Sequence, residues 1–260
     1  MGDSWDPEQY ERFAAERAQP FWDLVALIEP AALRRAVDLG CGTGELTAQM
    51  AERLDTGELT GIDSSAAMLE RAAHHARQGL AFVDGDVATW TSDADVDLVF
   101  ANAIMQWVPD HAAVMSRWWA ALAPRGQLAV QVPANADHPS HTVAGEVAGS
   151  EPFLSAFDGS PPPDPVAANV LAPERYAVLL DELGASRQHV RLQVYGHTLA
   201  SSADVVEWVR GTSLTRFHDR LPDELRERFV DEYRRRLLGL IGDRAPYYYP
   251  FKRILIWARR

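Results

Sequence analysis

Four things are scarce in this chain of 260 residues: cysteine, basic charge, long apolar runs and internal repeats. The lone Cys41 excludes an intrachain disulfide and leaves any zinc site without a thiolate set, which fits a reducing cytoplasm. The 25 Lys and Arg against 37 Asp and Glu give a formal charge of −12, which would repel a phosphate backbone, and no basic stripe interleaved with aromatics offsets it. A nucleic-acid partner is therefore not expected, and an anionic small molecule would need the few basic groups gathered locally. No stretch approaches the roughly 18 apolar residues that a membrane span needs. Met1–Pro7 has neither the basic nor the apolar part of a signal peptide, so the expectation is a soluble, unprocessed protein. The eight histidines show no metal-ligand spacing, His74 and His75 being adjacent on a helical pattern, and no metal is expected.

What is present is a chain 47% hydrophobic, enough for one substantial core with an elaboration covering it. Apolar runs predict strands over Ala36–Leu39, Leu59–Asp63, Leu80–Val83, Val96–Ala101 and Gln127–Val132. Between them lie helical patterns over Glu45–Arg53, Ala66–Arg77 and Ala112–Leu122. The rhythm predicts a Rossmann-like α/β fold, a doubly wound, mostly parallel seven-stranded sheet with helices on both faces. From Pro133 to Pro173 it breaks: Pro, Ser, His and Asp dominate, and Ser160–Pro165 cannot form a regular element interior, so this stretch reads as a long excursion. A helix resumes over Pro173–Leu183, strands are expected over Gln188–Tyr195 and Arg253–Ala258, and Ala203–Ile241 is helical. The implied organisation is a cofactor core over 1–132, an insert over the acceptor site at 133–186, and a closing segment at 187–260. Its helical insert, 203–241, would complete a cap around the sixth strand.

Ligands of open α/β sheets bind at the carboxyl ends of the strands, beside the switch in strand order. There the chain reads Asp38-Leu39-Gly40-Cys41-Gly42-Thr43-Gly44, a strand running through glycines into a helix, where side chains would block a ligand's approach to the backbone. A dinucleotide fingerprint needs Gly-x-Gly-x-x-Gly, but the sixth position counted from Gly40 is Glu45. Asp38, unsuited to a pyrophosphate, suits an amino group. The pattern points to S-adenosylmethionine (SAM). Asp63, 19 residues past Gly44, is placed to accept both ribose hydroxyls. Asp86 is placed to accept from the adenine amine with the Val87 amide donating to the ring, Asp84 being the alternative acceptor. After the fourth strand, Gln106 and Trp107 should line the passage between methyl donor and acceptor, although each could equally be a packed loop residue. His111 is a possible general base or a local cap at a helix start.

With these residues in place the chain resembles the class I SAM-dependent methyltransferases over Ala36–Val132. More narrowly, it resembles the trans-aconitate 2-methyltransferase family. The narrower likeness rests on Trp5-Asp6-Pro7 with Tyr10, Arg17 and Pro20, on Gly61–Ser65 with Met68-Leu69, and on Phe100–Ala103 with Gln106–His111. It continues through Leu128–Pro133, Pro139-Ser140-His141, Tyr195–His197, Val209–Leu214 and Tyr249–Arg253. The resemblance implies methyl transfer from SAM to a carboxylate of a small polycarboxylic acid. Such an acceptor is ionised at pH 7 and needs no base, so no catalytic group is assigned and positioning is the enzyme's main task.

The expected cofactor set is then Asp38, Gly40, Gly42, Gly44, Asp63, Ser64, Met68, Asp86, Val87 and Asn102. Tyr10 and Arg17 would close over the methionine end, or belong to a helix that merely packs on the sheet. For the acid's other carboxylates Arg210 is the first candidate, with Trp107, His141 and Tyr249, and then Lys252, Arg253, Arg175 and His138. Arg226, Arg228, Arg234, Arg235 and Arg236, interleaved with acids, read as an exposed helix face. Arg125 stands where the family more often has glycine, and Ser160–Pro165 and Tyr247–Tyr249 put the identity of the acid in question. Competing readings are a methyltransferase for a natural-product hydroxyl, amine or carbon, a non-catalytic SAM-binding module, and an NAD enzyme. The partner is a small-molecule acid, and the chain is expected to be a monomer or homodimer.

Overall fold

The computed structural model describes the backbone of residues 14–218 and 220–260, and side chains from residue 18 onward. Seven strands form one sheet in the order β3-β2-β1-β4-β5-β7-β6: β1 Arg35–Leu39, β2 Glu58–Asp63, β3 Leu80–Asp84, β4 Val96–Asn102, β5 Leu122–Pro133, β6 Arg187–Leu199 and β7 Tyr247–Arg259. β1 to β5 pair in parallel and β7 runs antiparallel to β5, from Gln127 opposite Arg259 to Pro133 opposite Arg253. The order steps outward from β1 to β3 on one side and from β4 to β5 on the other, which puts the switch between β1 and β4.

The helices, in chain order, are α1 Ala14–Val25, α2 Glu45–Leu54, α3 Ala66–Ala72, α4 His111–Ala120, α5 Pro139–Ala148, α6 Phe153–Ala156, α7 Pro165–Asn169, α8 Pro173–Glu182, α9 Asp204–Arg210, α10 Thr215–His218 and α11 Asp223–Ile241. The excursion expected across 133–173 therefore contains three helices. Proline starts two of them: Pro139 follows the cap His138 and Pro165 opens α7, first-turn positions where the missing N–H costs nothing. β5 begins earlier than expected because Leu122 already pairs with Val96, before an irregularity between Val96 and Leu98. Within it Arg125 adopts φ 68°, the left-handed region in which glycine is free of strain, so the family's preference there has a backbone cause.

The chain forms two compact units. The sheet unit comprises Arg17–Ala134, Asn169–Gln193 and Lys252–Arg260, and the helical unit includes 135–168 and 194–251. Each has its own apolar core. In the sheet unit Val99, Leu128, Val130 and Ile256 stack with Trp118, whose Nε1–H donates to Val87 O at 3.0 Å. Truncating so buried a tryptophan to alanine would cost roughly 3–5 kcal/mol. In the helical unit Phe229, Val230, Tyr233, Leu237 and Ile241 form one face of α11, packed with Phe153, Phe157, Phe217 and Trp208. The opposite face is laced by Arg226 with Asp223 and by Arg235 and Arg236 with Glu232, as the charge pattern suggested.

Candidate active site

At the carboxyl end of β1 the glycine turn takes φ 81° at Gly40, 57° at Gly42 and 76° at Gly44, which caps α2. The three differ in what they exclude. A Cβ on Gly40 would lie 2.7 Å from Ile104, and one on Gly44 would lie 2.7 Å from the Phe82 ring. A Cβ on Gly42 would meet nothing within 4 Å. Gly40 and Gly44 are thus required by packing, whereas Gly42 borders open space that a ligand can enter.

Asp63, at the end of β2, holds this turn with its carboxylate. Oδ2 accepts from Gly42 N at 2.9 Å and Oδ1 from Ser65 N at 2.9 Å, which leaves each oxygen further lone pairs for a vicinal diol. Ser65, not the exposed Ser64, caps α3, accepting from Met68 N at 3.3 Å, while Met68 is buried. Asp38 is buried, and Thr47 Oγ1 donates to its Oδ2 at 2.5 Å. Burial, with the nearby Asp63 charge adding to it and the Thr47 hydrogen bond opposing it, raises the Asp38 carboxyl to about 7. The Cys41 thiol, raised by burial, Asp38 and Asp63, stays protonated and is no nucleophile.

Past β3, Asp86 is exposed and closes a turn, its Oδ1 accepting from Ala88 N at 2.8 Å and its backbone oxygen from Trp90 N at 3.0 Å. Val87 is buried below it, and Asp84 pairs with Asp63 in the sheet register. A cavity of about 380 Å³ runs from Arg35 and Glu58 past Val37, Ile62 and Val83 to Asp86 and Trp90.

The loop after β4 is braced rather than reactive. His111 is buried; its Nε2 lies 2.7 Å from Met105 O and its Nδ1 2.6 Å from Tyr176 OH. A carbonyl can only accept, so Nε2 carries the proton and Nδ1 accepts from the tyrosine. Burial lowers the His111 pKa further, which keeps the ring neutral. With both nitrogens engaged, His111 is neither a free base nor the surface cap that the sequence offered as the alternative; Asp110 is the cap, accepting from Ala113 N. Gln106 is buried, donating to Ala103 O at 2.7 Å, and its backbone oxygen accepts from Asn169 Nδ2 at 2.8 Å. Trp107 is half-buried in the short 3-10 turn Met105–Trp107. Asn102 Oδ1, Gln106 Oε1 and Gln131 Nε2 are buried without a hydrogen-bond partner, and Arg253 Nη1 donates to Gln131 Oε1 at 3.2 Å. Gln131 drew no attention in the sequence because a glutamine inside an apolar strand carries no motif.

In the helical unit Arg210, the leading basic candidate, ends α9 with its Nη2 2.7 Å from Glu227 Oε1, in a solvent-facing ion pair. Arg175 is exposed. His141 and Tyr249 are buried and belong to one polar cluster. Ser140 Oγ lies 3.0 Å from Tyr249 OH and 2.9 Å from His138 Nδ1, Tyr233 OH donates to Ser140 O at 2.9 Å, and His141 Nδ1 donates to Asp164 Oδ2 at 2.8 Å. Arg216, which the sequence reading passed over, adds Nη2 at 3.5 Å from the same Asp164 oxygen. Tyr10 and the Arg17 side chain lie outside the described residues.

Strand order, an antiparallel β7 and a glycine turn opening α2 define a class: this is a SAM-dependent methyltransferase of the Rossmann-like kind. Residues 36–126 match the family model described as Methyltransferase domain. The fold is similar to that of the YcgJ protein of Bacillus subtilis, with a TM-score of 0.61 at 14% identity over 94% of this chain and 98% of that one. It is also similar to phosphoethanolamine N-methyltransferase 2 of Haemonchus contortus in complex with SAM, with a TM-score of 0.55 at 16% identity over 94% of this chain and 52% of that one. At the sequence level the chain is 40% identical to trans-aconitate 2-methyltransferase of Deinococcus radiodurans, over 99% of this chain and 98% of that one. It is likewise 40% identical to the enzyme of that name from Methylobacterium radiotolerans, over 98% of each chain. The chain therefore belongs to the trans-aconitate 2-methyltransferase family.

Proposed function

We propose that the protein esterifies one carboxylate of trans-aconitate or a closely related small polycarboxylic acid, using SAM and releasing S-adenosylhomocysteine. Forty per cent identity along nearly the whole chain to enzymes named for that reaction supports the substrate class. The observation that carries the chemistry is His111: this histidine, the first residue of α4 where the loop after β4 ends, has both ring nitrogens committed, so it offers no free imidazole base. A hydroxyl or amine acceptor would have to lose a proton. A carboxylate, ionised at neutral pH, attacks as it stands.

When bound, SAM supplies an electrophilic methyl group on a sulfonium. Asp63 would take the ribose hydroxyls, Asp38 the amino group, and Asp86 with the Val87 amide the adenine edge, Asp84 remaining the alternative acceptor. Ser64, exposed beside the cap, and Met68, buried in the first turn of α3, would border the cofactor. Gly42 leaves the backbone open to the cofactor. Asn102 and Gln106, each with a buried amide oxygen lacking a protein donor, would fix the methionine end and the approach line, and Trp107 would exclude water from it. These residues would hold the acceptor oxygen in line with the methyl carbon that SAM would supply, with S-adenosylhomocysteine as the leaving group.

The test is incubation with SAM and a panel of tri-, di- and monocarboxylates beside a neutral phenol and an amine, with methyl esters read by mass spectrometry. Esterification of the polycarboxylates alone is expected. Methylation of the phenol or amine with no ester formed would reject the reading, and SAM binding with no product from any acceptor would favour a binding module.

A further inference from the structure

We propose that Tyr176 and Asn169 are positioning residues of the methyl transfer: through His111 and through the Gln106 carbonyl they fix the turn Met105–Trp107, on which Gln106 and Trp107 stand. The proposal rests on the reading above in one respect, that Gln106 and Trp107 face the reacting groups, and it holds for any methyl acceptor. All of these residues lie in the sheet unit.

The loop they act on is bent against its own preferences. Ala103, just past β4, takes φ 56° and Asp110, just before α4, takes φ 54°, left-handed conformations that persist in residues other than glycine where the surroundings impose them. Ala103 N ties the start of the loop to Gln131 O, and Trp107 N and Val108 N close the turn on Ile104 O and Met105 O. The remaining anchors come from a segment 63 to 65 residues further along the chain. Asn169 Nδ2 donates to Gln106 O at 2.8 Å. Leu171 N donates to Tyr176 OH at 3.2 Å, so the tyrosine's own proton goes to His111 Nδ1, 2.6 Å away, and His111 Nε2–H donates to Met105 O at 2.7 Å. A backbone N–H that can only donate and a carbonyl that can only accept set the direction of this chain at its two ends. Two successive carbonyls, of Met105 and Gln106, are thus each held by a side-chain donor.

Filling the space does not require this chemistry. Tyr176 is fully buried and its ring stacks on His111 with centroids 5.9 Å apart, and apolar side chains of the same size would fill the same volume with no hydrogen bond left to satisfy. What a satisfied polar chain adds is a fixed direction. Gln106 depends on it. Its Nε2 is spent on Ala103 O, so its buried Oε1, which has no protein donor, points where the backbone turn puts it. A displacement of about 1 Å near the reacting atoms can cost about 100-fold in rate. The same displacement alters a ground-state complex far less, because many other contacts hold the ligands.

The experiment uses the full chain with SAM and trans-aconitate, or whichever member of the acceptor panel the wild type methylates, at temperatures well below the melting point of each variant. Tyr176→Phe keeps the ring against His111 and removes the hydroxyl alone. It should lower the single-turnover rate constant of methyl transfer about 10-fold or more, while the Kd for SAM and the KM for the acceptor stay within about twofold and threefold. Asn169→Leu should lower the same rate constant about 3- to 10-fold with the same unchanged binding. Because both residues hold one turn, the double variant should lose less than the product of the two single losses. A role in stability alone would lower the melting temperature and leave the rate constant of the folded enzyme untouched. An unchanged rate constant in both single variants, or losses that multiply in the double, would overturn the proposal. If Tyr176→Phe does not fold, Asn169→Leu, at a half-buried position, decides alone. Methylation of some other acceptor in place of any polycarboxylate would instead remove the carboxylate reading and leave this test standing.

Discussion

The two units build their polar clusters from different materials. In the sheet unit the proposed cofactor site is built around one turn: glycines at fixed spacing and one carboxylate, Asp63, that accepts from the N–H groups of Gly42 and Ser65. In the helical unit the buried polar cluster is made of side chains far apart in sequence, His141, Asp164 and Arg216, on α5, before α7 and on α10. A backbone site built around one turn is stiff and writes itself into a short motif. A side-chain site assembled across several helices can exchange its ligand by changing single residues, and it leaves no local signature.

The largest effect expected from breaking this division is at Asp63. Asp63→Ala removes the acceptor proposed for both ribose hydroxyls and frees the Gly42 and Ser65 amides. At about 1.5–3 kcal/mol for each charge-assisted hydrogen bond, the Kd for SAM measured by calorimetry should rise at least about 100-fold. The KM for the acid at saturating SAM should move less than about threefold. A comparable loss in both quantities would mean that Asp63 acts on more than the cofactor.

That asymmetry also explains what could be read in advance. The sheet's first five strands, the glycine turn and Asp63 were legible because each depends on contiguous residues: period, spacing, a strand ending in an acid. The helices between 133 and 173 were hidden by prolines that mark starts rather than breaks. His111 looked like a base because its partners, Tyr176 and Met105 O, are supplied by the fold, and sequence does not show that a histidine is engaged at both nitrogens. Arg210 and Arg216 sit six residues apart and are chemically identical on paper. Only burial separates them.

An intermediate effect should come from Asp38, and its sign follows from its environment. Burial raises this carboxyl from its ordinary 3.8 to about 7 in the folded chain. Between those values the folded state holds a proton that the unfolded state has lost, so the group's contribution to stability is full at low pH and is lost as pH rises toward about 7. SAM affinity should run the other way, because only the ionised carboxylate attracts an ammonium. If the protonated form does not bind, the Kd for SAM should fall about tenfold from pH 6 to pH 8, and Asp38→Asn should flatten that dependence.

The smallest effect is expected at Arg210, and it is informative because it is small. Its guanidinium already has a carboxylate, Glu227, and the pair faces solvent, with the arginine 34% and the glutamate 72% exposed. Exposed ion pairs contribute about 0–1 kcal/mol because water screens them and two long side chains must be ordered to make them. A substrate carboxylate arriving there would have to displace Glu227 with little gain. Arg210→Ala should therefore lower the melting temperature slightly, change the KM for trans-aconitate by less than about twofold, and leave the Kd for SAM alone. A large rise in the KM for trans-aconitate in Arg210→Ala would mean that exposed positive charge attracts the acid, and raising the salt concentration would then weaken acid binding in the wild type by a similar factor.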